Sequence, residues 1–392
     1  MPDSLELPES ISTVVQPGIR RGATAARDAR TAARDLHAAI AQPDTALAVF
    51  FCSAEYDLDA LAAELGRLFA GVNVVGCTTA GEISSLGYGT GTLSGVSFAG
   101  NEFSVVTSRL DAMSRFEFAS AEAAATRAIE SLQERGKVVE SRSTFAFLLV
   151  DGLSQQEESL VGALFYGLGD IRLIGGSAGD GLNFRQTFIY HDGRFRQDCA
   201  ILNLIHTDRP FEVFKTQHFV ASDVKMVVTQ ATPSTRMVTE INGEPAAREY
   251  ARVVGLDVDE LTPMIFAAYP VVVKVGGDYY VRSIQKVNED ESLAFFCAID
   301  VGVVLTVARG IDLIENLSQA FESVRTRVGE PELVLGCDCI LRYIEIEQRQ
   351  LAPQVGRIFA DNRVVGFATY GEQFNAMHVN QTFTGVAIGG TR

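Results

Sequence analysis

A strand, a helix, a second strand and a glycine turn closed by a carboxylate follow one another in that order three times along this chain. Such a repeat constrains the fold more than any single motif, because each copy leaves an apolar face that only its neighbours can cover. In the first copy the strand Leu47 to Cys52 precedes a helix carrying Leu58, Leu61, Leu65 and Leu68, then Val72 to Val75 and the turn Gly76-Cys77-Thr78-Thr79-Ala80-Gly81-Glu82. In the second, Phe145 to Val150 leads through Ser154 and Glu157, which read as a capping box, to a helix on Leu160, Ala163, Leu164 and Leu168. Ile171 to Ile174 and Gly175-Gly176-Ser177-Ala178-Gly179-Asp180 complete it. The third runs from Leu333 to Leu335, through Leu341, Ile344 and Leu351, to Val364-Val365-Gly366-Phe367-Ala368-Thr369-Tyr370-Gly371-Glu372.

Arg185-Gln186-Thr187-Phe188 after the second turn matches Asn380-Gln381-Thr382-Phe383 after the third, and both enter strands. The paired glycines predict backbone at positive φ or in close approach, and Glu82, Asp180 and Glu372 either brace their turns or face a ligand. Between the second and third copies the sequence is β-rich. Val224 to Gln230 and Met237 to Ile241 flank Pro233-Ser234, and a short helix follows Asn242-Gly243-Glu244-Pro245 and ends at Val254. Val271 to Val275, Tyr279 to Val287, Leu293 to Ile299 and Val303 to Ala308 read as strands before a helix on Leu313, Leu317, Phe321 and Val324. Near the N-terminus Ala26, Ala29, Ala33, Leu36 and Ile40 step by three and four, which predicts a helix over 24–41. The fold class is α/β, with mixed sheets built from repeated β-α-β-glycine-turn units.

The 33 Lys+Arg stand against 49 Asp+Glu, and a formal charge of −16 disfavours nucleic acid and anionic lipid where no basic run offsets it. Apolar runs such as Ala46 to Cys52 are too short to span a bilayer, so no membrane partner is expected. Six cysteines scattered in apolar surroundings predict reduced, buried thiols and a cytoplasmic location.

Gly175-Gly176-Ser177-Ala178-Gly179 fits the G-x-S-x-G pattern of a serine-hydrolase nucleophile elbow, but the following Asp180, Gly181 and Asn183 do not open the helix that an elbow requires. Ser177 is therefore read as architectural, and no catalytic residue is assigned. Gly87-Tyr88-Gly89-Thr90-Gly91 lacks a Walker lysine, and Cys337-Asp338-Cys339 lacks a second pair at zinc spacing. The five histidines are His37, His191, His206, His218 and His378. No C-x-x-C-H is present, so c-type haem attachment is excluded, whereas a noncovalent haem on one imidazole is compatible with the sequence. His37 is expected to face solvent from its helix, His191-Asp192-Gly193 reads as a hairpin turn, and His206 falls at a strand end. His218 lies between aromatic neighbours, and His378 follows the third turn.

Val74 to Glu82, Asp151-Gly152-Leu153, Gly175 to Asp180, Asn242 to Ala246, Tyr370-Gly371-Glu372 and Asn380-Gln381-Thr382 together resemble the FIST family, in the family's order and over nearly the whole chain. The resemblance implies an extension with a helix start over residues 1–29, a FIST N domain over 30–225 and a FIST C domain over 226–392. It implies a bacterial sensory input domain that binds a small ligand. The tail Met377 to Gly389, and the lack of a fused kinase or cyclase, are similar to the stand-alone NosP type, which binds haem, senses nitric oxide and regulates a separate histidine kinase or cyclic-di-GMP enzyme.

The leading expectation is thus haem b in an apolar cleft between the halves, with His218 as the metal ligand and then His191, His206 and His378 as candidates. Arg185, Arg194, Arg196 and Arg282 are candidate partners for the propionates. The alternative is a small polar ligand such as an amino acid, its ammonium on Glu82, Asp180 or Glu372 and its carboxylate on Arg282. Either reading leaves room for a homodimer.

Overall fold

The protein is described here by a computed structural model over residues 14–16 and 18–390, so part of the extension expected over 1–29 lies outside the described residues. Each repeated unit builds a sheet with the same strand order. In the first sheet the order is Ile19–Thr24, Leu93–Ala99, Thr45–Ser53, Val74–Thr79, then the hairpin Ile189–His191 and Arg194–Arg196, with Val14–Gln16 beyond the first strand. In the second it is Phe103–Asp111, Cys199–Thr207, Thr144–Val150, Arg172–Ser177, Glu372–Phe374 and Met377–Val379. In the third it is Phe211–Thr216, Phe383–Gly389, Pro331–Cys339, Val364–Thr369, Glu82–Ser84 and Gly87–Gly89. Only the two strands joined by the β-α-β crossover run parallel in each case.

The last two strands of every sheet come from another unit. The hairpin after the first turn lies on the third unit, with Ile83 opposite Gly366. The hairpin after the third turn lies on the second unit, with Gln373 opposite Gly175, and that of the second unit lies on the first, with Ile189 opposite Cys77. Three donations in one rotational sense close a ring and cover the strand edges that the β-α-β units would otherwise leave unpaired.

The strand pattern explains the layers. Val49 and Phe51, Phe147 and Leu149, and Leu335 and Phe367 point inward to one central core, where the Phe51 and Phe367 rings stack at 4.6 Å. Their sequence neighbours Phe50 and Cys52, and Ala146 and Leu148, point outward under helices. Burial on both faces is why these strands read as unbroken apolar runs. Each buried Phe or Leu contributes roughly 1.5–3 kcal/mol relative to exposure. Ala29–Ile40 and Leu58–Leu68 cover the first sheet, Phe118–Glu134 and Glu157–Leu168 the second, and Leu313–Val328 and Ala352–Asp361 the third.

The third unit is interrupted. Between its strand Phe211–Thr216 and its helix Leu313–Val328, residues 219–310 form a separate eight-stranded sheet. Met226, Tyr250, Phe266 and Leu305 belong to the core of this insertion.

Several local expectations are corrected. The helix expected over 24–41 is Ala29–Ile40, because Ile19–Thr24 is a strand and the Asp28 carboxylate caps the helix by accepting from the Thr31 N–H at 2.8 Å. No capping box forms at Ser154 and Glu157: Gln156 is the N-cap, and the Glu157 carboxylate instead accepts from Arg236 at 2.5 Å. The stretch Tyr279 to Val287 divides into Asp278–Arg282 and Ile284–Val287, and the strand expected over Leu293 to Ile299 ends at Phe295. The matched segments at Thr187 and Thr382 do both enter strands, but the first is the donated hairpin and the second is the unit's own closing strand.

Candidate functional site

The three glycine turns meet where the units join. Gly179 and Gly181 donate backbone N–H to the carbonyls of Thr78 and Thr79, at 2.9 and 3.1 Å. Ala80 donates to the Ala368 carbonyl and Ala368 to that of Gly81, while Ser177 donates to Gly371 and Tyr370 to Ser177. Each turn is thus hydrogen-bonded to the other two. Close approach, rather than positive φ, explains the glycine at 179: a Cβ there would lie 2.8 Å from the Ala80 nitrogen.

A cavity of about 580 Å³ opens beside this junction. Its walls bring Glu82 of the first turn together with Asp180 of the second and with Arg185 just beyond it. Ser53 and Glu55 complete the rim from the C-terminal end of a parallel strand, and Thr90 and Gly91 complete it from the far side of the donated hairpin. Ligands in parallel-strand folds gather at such strand ends. Sequence reading assigned none of these four to a site: it weighed Thr90 and Gly91 only as part of the Gly87–Gly91 run, and the end of the first strand at Ser53 was the available signal for the rest.

Glu82 is 2% exposed. One of its oxygens accepts from the Thr79 hydroxyl, and the other accepts from the Thr92 N–H at 3.0 Å and hydroxyl at 2.6 Å. Burial pushes its carboxyl up to about 7 against these hydrogen bonds. Asp180 accepts N–H bonds from Phe184, Arg185 and Gln186 at 2.8, 2.9 and 2.9 Å, and a bond from the Tyr370 hydroxyl. Both carboxylates therefore brace the chain as well as lining the cavity. The Arg185 side chain is exposed and makes no ion pair among the described residues.

Glu372 and Arg282 are not part of this cavity. Glu372 is fully buried at the start of the hairpin laid on the second sheet, where it accepts from the Thr382 hydroxyl at 2.6 Å as Glu82 does from Thr92, ten residues on in each case, and burial raises its pKa well above the carboxylate range. The shared Glu-x9-Thr spacing was legible in the sequence. Arg282 donates to the His378 carbonyl at 2.8 Å and lines a different cavity, in the inserted sheet.

The histidines do not assemble a haem site. Arg342 donates to Nδ1 of His218 at 2.8 Å, and Nε2 of His218 lies 2.8 Å from a Glu345 oxygen, so both ring nitrogens are taken. His206 is buried inside its strand rather than in a loop, with Nδ1 3.3 Å from the Thr144 hydroxyl. His191 ends its strand at an Asp192-Gly193 turn, both turn residues at positive φ, and its Nδ1 lies 3.1 Å from Asp192. His378 is 2% exposed and its Nε2 has no partner, but the imidazole is packed against the Gly371 Cα. His37 is half-buried against Phe69 rather than facing solvent. No histidine lines the cavities at Glu82, Arg282, Lys215, Glu212 or Tyr343. Of the arginines considered for propionates, Arg196 donates to the His191 carbonyl, and Arg194 sits exposed on the same hairpin. The residues present do not fit a histidine-ligated haem.

Ser177 is fully buried in the strand Arg172–Ser177, its hydroxyl accepts from the Gln373 amide at 3.0 Å, and no helix follows it. All six cysteines are buried and unpaired, and burial raises the thiols of Cys337 and Cys339. No metal-binding group of acidic, histidine and cysteine side chains occurs among the described residues, and no described helix is long and apolar enough to cross a membrane.

A FIST N domain model matches residues 46–244 and a FIST C domain model matches residues 246–375. The chain belongs to the FIST family. No curated protein matches it. FIST domains are sensory domains that bind small ligands and signal to partner proteins, which gives the chain a sensor's role.

Proposed function

We propose that this chain senses a small zwitterion, such as an amino acid, in the cavity beside the glycine turns. The observation that carries this reading is the convergence of Glu82, Asp180 and Arg185, from two different units, on one cavity of about 580 Å³. That volume suits a small ligand, the carboxylates suit an ammonium, and the unpaired guanidinium suits a carboxylate. Arg185 thus takes the role that sequence reading gave to Arg282. The turns that line the cavity also bond the units to one another, so a ligand held there favours one arrangement of the ring. Output then requires only that the bound and free arrangements differ in affinity for a partner, which we take to be a separate histidine kinase or cyclic-di-GMP enzyme. The haem b and nitric oxide reading has no comparable support, since no histidine lines any of the cavities named above.

Isothermal titration of the full chain with each standard amino acid tests the proposal. At least one is expected to bind, and Arg185→Ala is expected to weaken that binding at least tenfold, about 1.4 kcal/mol. Binding unchanged in Arg185→Ala, or a panel with no binder, overturns it.

A further inference from the structure

The inserted sheet carries a cavity whose chemistry is the reverse of the first. It measures about 580 Å³ and is lined by Lys225, Lys274 and Arg282, with Asp300 as the one acid. Three cations against one carboxylate stand out on a chain of net charge −16. None of the three makes an ion pair among the described residues. Lys274 lies 5.5 Å from the Tyr279 ring centroid, which holds its ammonium at the rim. Apart from Tyr279 and Thr306, apolar side chains make the rest of the wall, and two of them, Val275 and Val304, are 46% and 45% exposed.

These features select a ligand. An inorganic anion would satisfy the cations and leave the valines in water. A neutral hydrocarbon would cover the valines and desolvate unpaired charges, which is costly. A ligand with an anionic head and an apolar body satisfies both. We infer that the inserted sheet holds a second binding site, selective for a small amphipathic anion such as a medium-chain carboxylate.

The site is joined to the ring. Arg282 donates to the carbonyl of His378, in the strand Met377–Val379, whose hairpin is laid on Arg172–Ser177 of the second unit. A carboxylate that draws the Arg282 guanidinium into the cavity acts on the hairpin that closes the ring.

The test uses the full chain and sodium octanoate as probe, followed by isothermal titration, with octyltrimethylammonium and octanol as controls. Octanoate is expected to bind, more weakly as salt rises, and Lys225→Gln with Lys274→Gln is expected to reduce affinity at least tenfold. Both lysines are exposed, so the double variant keeps its fold, checked by circular dichroism. Amino-acid binding is titrated in parallel and is expected to be unchanged in the double lysine variant, because neither lysine lines the first cavity, which separates the fate of this inference from that of the zwitterion site. Absence of octanoate binding, equal binding of the ammonium surfactant, or full affinity in the double lysine variant overturns the inference.

Discussion

Arg342 donates to Nδ1 of His218, and this one bond fixes the histidine as the neutral tautomer with its proton on Nε2, toward Glu345. The guanidinium also donates to Asp338 at 2.6 Å, and Asp338 accepts from the Tyr88 hydroxyl, so a buried polar chain runs from the first unit's donated hairpin to the strand junction at residue 218. His218→Ala leaves the buried Arg342 guanidinium without one acceptor and Glu345 without a donor. We expect it to destabilise the protein by about 1–3 kcal/mol in urea titration. Haemin added to the wild-type chain is expected to give no Soret shift that His218→Ala removes.

Burial lowers the His218 pKa below its ordinary value. The unfolded chain then binds the extra proton first, at about 6.5, so this group's contribution to stability is full above that pH and is lost as pH falls toward the folded value. The pH dependence of the urea midpoint should flatten in that window for His218→Gln, with Glu345 left in place.

Glu82 has the opposite sign. Its folded carboxyl is raised to about 7, so folding takes up a proton between the ordinary carboxylate range and 7, and this group's contribution to stability falls as pH rises through that window. A cationic ligand group prefers the ionised form. Amino-acid affinity should therefore rise with pH through about 7 in the wild type, and Glu82→Gln should remove that rise in titrations at pH 6 and 8.

Gly179 has no room for a side chain, because its Cβ position lies 2.8 Å from the Ala80 nitrogen and 3.1 Å from the Thr79 carbonyl carbon. Gly179→Ala must push the first and second units apart. A loss of about 1–3 kcal/mol is expected in thermal or urea unfolding. A neutral result would show that the turns are not packed against one another.

Ser177→Ala is expected to cost about 1 kcal/mol through loss of the Gln373 amide's acceptor. A serine-directed fluorophosphonate is expected not to label the wild type at Ser177, which is fully buried. Labelling there would restore the nucleophile-elbow reading.

Periodicity and turn chemistry alone determined the three units, their β-α-β order and the apolar strands, because those signals lie within spans of a few dozen residues. They also marked Glu82, Asp180 and Glu372 as equivalent candidates. Only the tertiary structure decided which of these share a cavity. Glu82 meets Asp180 because the second unit's hairpin crosses to the first, whereas Glu372 is fully buried where the third unit's hairpin crosses to the second. The exchange could not be read from sequence, since a strand's alternation says that it must pair but not with which unit. His218 shows the same limit. Its aromatic neighbours suggested an apolar cleft, yet its partners Arg342 and Glu345 stand more than a hundred residues away along the chain and reach it only in the folded protein.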